Sequence, residues 1–209
     1  MTVSLERVRA SLLDEMLRHV VFDGWSSRAL AAAAEAKGVD AATLRRAFPR
    51  GVADAVAYFS DWADRRMLAA MEGHGGAEAR RRDRVALAVR ARLEALAPHR
   101  EACRRLLAWF ALPGHQPLAA RCLWRTVDSI WRESGDRSAD FGFYNKRALL
   151  AGVYGATLLV WLDDRSEGSA ETWAFLERRI ADAMRIPSLG DRARAFARNL
   201  APRPPLYRR

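Results

Sequence analysis

Asp128, Asp136 and Asp140 stand close enough along the chain to suggest a metal site or a paired acid and base. Neither chemistry finds its remaining partners. The four histidines, His19, His74, His99 and His115, are scattered, and no Glu-x-x-His pair supplies the spacing of a helical di-iron site. Cys103 and Cys122 are the only cysteines and form no CxxC pair, so they read as reduced thiols buried in a core. There is no identifiable Ser/His/Asp or Cys/His arrangement, and no glycine-rich phosphate loop follows a strand. Asp136 and Asp140 then read as caps for a turn and the helix behind it. No enzymatic activity, metal or cofactor is expected.

The elements that carry these residues read as helical throughout, because apolar positions recur at helical spacing and no strand alternation stands out. Leu5, Val8, Leu12, Leu13, Met16, Val20 and Val21 mark a first helix over about 4–22, ended by Gly24. A second short helix, capped by Ser26 or Ser27, runs through Ala36 and breaks at Gly38. A third covers about 40–48 and stops before Pro49. A fourth spans about 51–71, before the joint GHGGA at 73–77. Val85, Val89, Leu93 and Leu96 line one face of a fifth helix that stops at Pro98. Its other face is expected to carry Arg80, Arg81, Arg82, Arg84, Arg90 and Arg92.

Leu106, Leu107, Trp109 and Phe110 lie on a sixth helix closed by LPGHQP. Ala120, Leu123, Trp124, Val127, Ile130 and Trp131 define a seventh over about 117–133. An eighth covers 142–162 and a ninth 169–185, the latter marked by Trp173, Leu176, Ile180 and Ala183. The expected fold class is therefore all-α.

The net charge of +10, with 35 basic and 25 acidic residues, favours an anionic partner such as nucleic acid or lipid. The apolar run at 148–162 would extend ~22 Å as a helix, short of a ~30 Å bilayer core, and reads as a buried helix. Beyond Pro187, Leu189, Phe196 and Leu200 share one helical face while Arg192, Arg194 and Arg198 occupy much of the other. With a net charge of +6 over 185–209, this pattern fits an interfacial helix on an anionic membrane surface. The proline-rich end APRPPLYRR cannot continue that helix, so the association is expected to be weak and salt-sensitive.

WSSRALAAAAEAKGVDAATLRRAF has the layout of a helix-turn-helix. It resembles the amino-terminal unit of TetR-type regulators at Lys37-Gly38-Val39, Thr43-Leu44 and Phe48. Ala41 and Ala42 offer no hydrogen-bonding groups where base edges would be read, and Arg45 and Arg46 replace the aromatic and hydroxyl groups of the pattern. DNA is accordingly not the expected partner. A repressor sensing a hydrophobic ligand is the alternative, and a packed scaffold without ligand a third reading.

A longer series stands in one order over 87–184: Leu112-Pro113, His115-Gln116-Pro117, Val127-Asp128, Ile130-Trp131, Gly135-Asp136, Asp140-Phe141, Phe143-Tyr144, Lys146-Arg147-Ala148 and Tyr154. It continues through Asp163, Thr172-Trp173, Phe175-Leu176, Arg178-Arg179 and Asp182-Ala183-Met184. The series resembles the Coq-nine family, lipid-binding accessory proteins of ubiquinone biosynthesis. That resemblance implies a TetR-like fold, a homodimer and an apolar cavity for an isoprenoid or quinone lipid, with phospholipid as another occupant. It also implies a role in presenting a quinone precursor, at the membrane, to the di-iron demethoxyubiquinone hydroxylase.

On this resemblance three parts are expected: a helix-turn-helix-like unit over 1–50, a lipid-binding and dimerisation unit over 51–186, and the basic helix and tail over 187–209. Gly152 and Gly155 leave a local deficit of side-chain volume that close packing would otherwise fill. The expected lipid wall comprises Trp109, Phe110, Trp124, Val127, Leu149, Gly152, Tyr154, Gly155, Leu158, Trp161 and Leu162. Small residues at 148–156 equally suit close helix packing or a dimer seam. Leu112, Pro113, Asp128 and Trp131 are the expected partner patch, with Trp131 exposed at its helix end. Leu189, Arg192, Phe196, Arg198 and Leu200 are the expected membrane contacts. The Arg- and Ala-rich composition, with no presequence read, points to a bacterial cytoplasm and a peripheral position at the inner membrane.

Overall fold

The structure is a computed structural model describing residues 4–72, 81–135 and 142–185. Among these, nine α-helices and two short 3-10 turns account for the fold, with no strand. The first three are α1 (Leu5–Asp23), α2 (Ser27–Ala36) and α3 (Ala41–Ala47). Ser26 Oγ accepts from Ala29 N at 3.1 Å at the start of α2. Asp40 Oδ1 accepts from Ala42 N and Thr43 N, both at 2.9 Å, at the start of α3. These bonds satisfy amide donors that a helix start otherwise leaves unpaired. Between the two helices Gly38 takes φ +62°, a conformation that side chains with a Cβ rarely adopt.

The remaining helices are α4 (Val52–Met71), α5 (Arg81–Leu96), α6 (Arg100–Ala111), α7 (Gln116–Glu133), α8 (Gly142–Asp163) and α9 (Ala170–Arg185). Pro98 sits in a 3-10 turn between α5 and α6, and Pro117 in the first turn of α7, where a missing amide proton does no harm. Asp164 ends α8 and organises the corner into α9. Its carboxylate accepts from Ser166 N and Oγ at 2.7 and 2.6 Å, and from Thr172 N and Oγ1 at 2.9 and 2.5 Å.

One buried apolar cluster runs through the described helices, including Leu12, Met16 and Val20 of α1, Phe59 and Met67 of α4, Val89 and Leu93 of α5, and Ile130 of α7. Fully burying a side chain such as Phe59 contributes about 1.5–3 kcal/mol. Trp25 joins the amino-terminal helices to the rest: its ring lies 5.2 Å from Phe59, and its Nε1 donates to Ala102 O on α6 at 3.0 Å. No described helix is long and apolar enough to cross a membrane.

Candidate functional site

A cavity of about 330 Å3 lies among α4, α5, α6, α7 and α8. Phe59 and Ala63 come from α4, Leu96 from α5, and Leu106, Leu107 and Phe110 from α6. Ala119 and Leu123 come from α7, and Gly155, Leu158 and Leu159 from α8. Burial distinguishes the two ends. Leu159 is exposed and Leu106, Phe110 and Leu158 are half-buried, whereas Phe59, Ala63, Leu96 and Cys103 are buried. The volume and the apolar wall suit part of a lipid or another hydrophobic small molecule.

The deep end is polar. Arg92, on α5, donates through Nε to Asp64 Oδ1 at 2.7 Å and through Nη1 to the Tyr154 hydroxyl of α8. Its Nη2 reaches Ser60 O at 3.4 Å and Ser60 Oγ at 3.3 Å. Thr126 Oγ1 donates to Asp64 Oδ1 at 2.8 Å, and Arg125 Nε donates to Asp64 Oδ2 at 3.2 Å. Burial disfavours the Arg92 cation, but the facing Tyr154 oxygen and Asp64 carboxylate outweigh it and hold the guanidinium pKa above its ordinary value. Burial pushes the Tyr154 phenol up, which keeps its proton in place. It also pushes the Cys103 thiol up to about 12 and raises that of Cys122, so both cavity cysteines are poor nucleophiles.

Four residues of the expected lipid wall line this cavity: Phe110, Tyr154, Gly155 and Leu158. The other seven lie elsewhere. Val127, Trp161 and Leu162 are buried in the core, and the Arg100 guanidinium lies 4.5 Å from the Trp161 ring centroid. Trp109 stacks on His115 at 3.6 Å, and the exposed Trp124 stacks on Tyr144 at 6.0 Å. Leu149 is half-buried and Gly152 is exposed. No heavy atom lies within 4 Å of where a Cβ on either Gly152 or Gly155 would stand, leaving out the helix's own nearby backbone. Neither glycine is therefore required for close packing among the described residues. Gly155 borders the cavity, while Gly152 looks outward.

Arg92 is the main residue that sequence reasoning missed. From the sequence it is expected with the other arginines opposite the apolar face of α5, yet only 5 % of it is exposed. The signal was its register: Arg92 follows Val85 by seven residues and Val89 by three, which places it on the buried face. Ser60 and Thr126 escaped notice for a related reason, as short polar residues within apolar stripes.

The partner patch also needs correcting. Trp131 is buried, not exposed, because α8 packs over the end of α7, and its Nε1 donates to Lys146 O at 3.1 Å. Asp128 is tied to the buried Arg147 at 2.8 Å and to Arg132 at 2.9 Å. Both residues brace α7 against α8. Leu112 is exposed, as is the adjoining Pro113. Leu189, Arg192, Phe196, Arg198 and Leu200 fall outside the described residues, as do Asp136 and Asp140.

A second groove of about 610 Å3 lies between α5 and α9. Arg82, Arg90 and Arg178 are among its lining residues, but Asp83 and Glu177 lie beside them and Arg90 pairs with Glu94 at 2.7 Å. It is more polar than the first cavity, although Leu176 and Ile180 in its lining are buried.

Comparison with known proteins shows what the chain is similar to. The COQ9 family model matches residues 116–187. The chain is 33% identical over 186 residues to "Ubiquinone biosynthesis protein COQ9, mitochondrial" of Drosophila melanogaster, covering 87% of this chain and 57% of that protein. It is likewise 33% identical over 190 residues to the human protein of the same name, covering 88% and 59%. The chain thus spans a little under three fifths of the length of these curated relatives. Among solved structures, a TetR transcriptional regulator from Nitrosomonas europaea superposes with a TM-score of 0.69 at 23% identity, covering 86% of this chain and 99% of that one. That likeness shows a TetR-like fold. The expected bacterial cytoplasm is overturned, because the curated relatives are named mitochondrial. Arg and Ala content was a poor guide, since composition does not report a compartment.

Proposed function

Because the chain belongs to the COQ9 family, we propose that it serves ubiquinone biosynthesis as a lipid carrier rather than a catalyst. It takes up an isoprenoid quinone precursor and hands it, at a membrane, to the demethoxyubiquinone hydroxylase. The observation that carries this reading is the 330 Å3 apolar cavity among α4 to α8. Enclosing an apolar chain removes a penalty of ~0.8 kcal/mol for each methylene equivalent otherwise left in water. The exposed Leu112 and Pro113 are the partner contacts of this reading. The basic segment beyond Pro187 is its contact with anionic lipid. A homodimer across α8 and α9 belongs to the same proposal, supported by the open face at Gly152.

The alternative is a repressor that senses a hydrophobic ligand through the same cavity. The helix-turn-helix geometry of α2 and α3 favours it, but the chemistry of α3 does not. Asp40 occupies the start of that helix, and hydrogen bonds from Thr43 and Ala42 hold its carboxyl below the usual range. An anion therefore stands where a recognition helix would approach DNA. Arg50 is committed to Asp54 at 2.6 Å, and Arg46 donates to Thr43 Oγ1 at 3.0 Å.

The test is organic extraction of the purified protein followed by mass spectrometry. A stoichiometric isoprenoid or quinone lipid is the expected result. A folded protein that yields no lipid and takes none up from liposomes containing quinone would overturn the carrier.

A further inference from the structure

A cavity built only to shelter hydrocarbon would be apolar to its end, because buried polar groups are costly unless they are paired. Here Arg92, Ser60, Thr126 and Tyr154 are among the residues that line the buried end. Most of their hydrogen-bonding capacity is spent internally. Arg92 is matched by Asp64, and Thr126 donates to the same carboxylate. Tyr154 differs. Its oxygen accepts from Arg92 Nη1, which leaves its own proton to donate, and among the described residues no protein acceptor receives it.

We propose that Tyr154 is a specificity-determining residue that donates its hydroxyl proton to a neutral ligand oxygen at the cavity floor, so that a quinone ring enters carbonyl-first. The inference rests on the carrier reading and deepens it. The charge balance selects the ligand class: Asp64 faces both Arg92 and Arg125, and Arg125 also meets Asp61 at 3.6 Å, so two carboxylates stand against the two guanidiniums and no unanswered positive charge is left for a carboxylate or phosphate. An anion would also have to shed its water while passing Leu106, Phe110 and Leu158. A quinone carbonyl is neutral and accepts one hydrogen bond readily. Arg92 is the positioning residue, since its bond to the hydroxyl oxygen aims the phenol proton elsewhere. The ring is then hidden in transit, and delivery requires release rather than display at the mouth.

The experiment compares two probes by calorimetry on the full chain. One is ubiquinone with two isoprene units, and the other is an alkylbenzene carrying the same chain without ring oxygens. Wild-type protein is expected to prefer the quinone by about tenfold, the worth of one buried hydrogen bond. Tyr154→Phe should reduce quinone affinity by about tenfold and leave the alkylbenzene unchanged. The infrared carbonyl band of bound quinone, lowered in wild type, should move back up in the variant.

Equal quinone affinity in wild type and Tyr154→Phe, with an unmoved carbonyl band, would overturn the inference while leaving the carrier intact. Failure of both probes to bind wild type would overturn both readings. Should Tyr154→Phe not fold, the wild-type measurements decide alone: a quinone to alkylbenzene ratio near one, with an unshifted carbonyl, overturns the proposal.

Discussion

The Arg92 guanidinium of α5 meets the Asp64 carboxylate of α4 at 2.7 Å, with only 6% and 5% of the two side chains exposed. In so dry a setting the pair holds its two helices in one register, and neither partner tolerates loss of the other. Asp64→Ala should destabilise the protein by about 3–5 kcal/mol, because it leaves a buried cation uncompensated. Replacing both residues, as Asp64→Val with Arg92→Met, should recover most of that loss. Urea unfolding of the single and double variants measures the difference. A single variant as stable as wild type would show that the buried pair does not matter.

The cavity thiols should be inert in the folded state. Burial lifts Cys103 to about 12 and raises Cys122 as well, so the thiolate is scarce at neutral pH. Ellman's reagent at pH 8 should therefore label neither cysteine in native protein and both in guanidinium. Rapid labelling of the native fold would contradict the burial described for α6 and α7.

His99 makes stability sensitive to mild acid. It packs edge-on to Phe59 at 6.2 Å and Trp62 at 5.5 Å, and burial holds its pKa below the ordinary histidine value. The unfolded chain therefore binds a proton that the folded one resists. The stabilisation is fully present above about pH 6.5 and is lost as pH falls through the depressed folded value. Melting temperature should decline from pH 7.5 to 5.5, and His99→Phe should flatten that slope. A slope unchanged by the substitution would assign the acid response to other groups.

Helix ends were legible because their signals are local. Ser26 and Asp40 accept from the amides that open α2 and α3, Gly38 takes the backbone conformation between them, and Pro98 and Pro117 sit where a missing donor is harmless. The cavity was harder to read. Helix α8 is apolar around most of its circumference, so periodicity could not say which face meets packed neighbours and which meets empty space. Tyr154, Gly155 and Leu158 line the cavity, whereas Trp161, three residues beyond Leu158, is wrapped by the core and by Arg100. Trp131 shows the same limit from the other side. Its position at a helix end suggested exposure, but the path of α8 across it was not encoded locally.

Gly155 offers the sharpest separation of cavity from packing. A Cβ there would meet no heavy atom within 4 Å, so Gly155→Ala should be accommodated without strain and should stabilise α8 by about 0.5–1 kcal/mol through helix propensity. Gly155→Leu goes further, because its side chain would project into the space bordered by Tyr154, Leu158 and Phe110. It should melt no lower than wild type yet carry little or no extractable lipid. Gly152→Ala, on the outward face of the same helix, provides the contrast. It should keep its lipid, and with the homodimer proposed across that face sedimentation should show a weakened dimer; an unchanged dimer would place the seam elsewhere. If Gly155→Leu were destabilised while retaining its lipid, the space beside Gly155 would not be the ligand site, and α8 would be a packing helix after all.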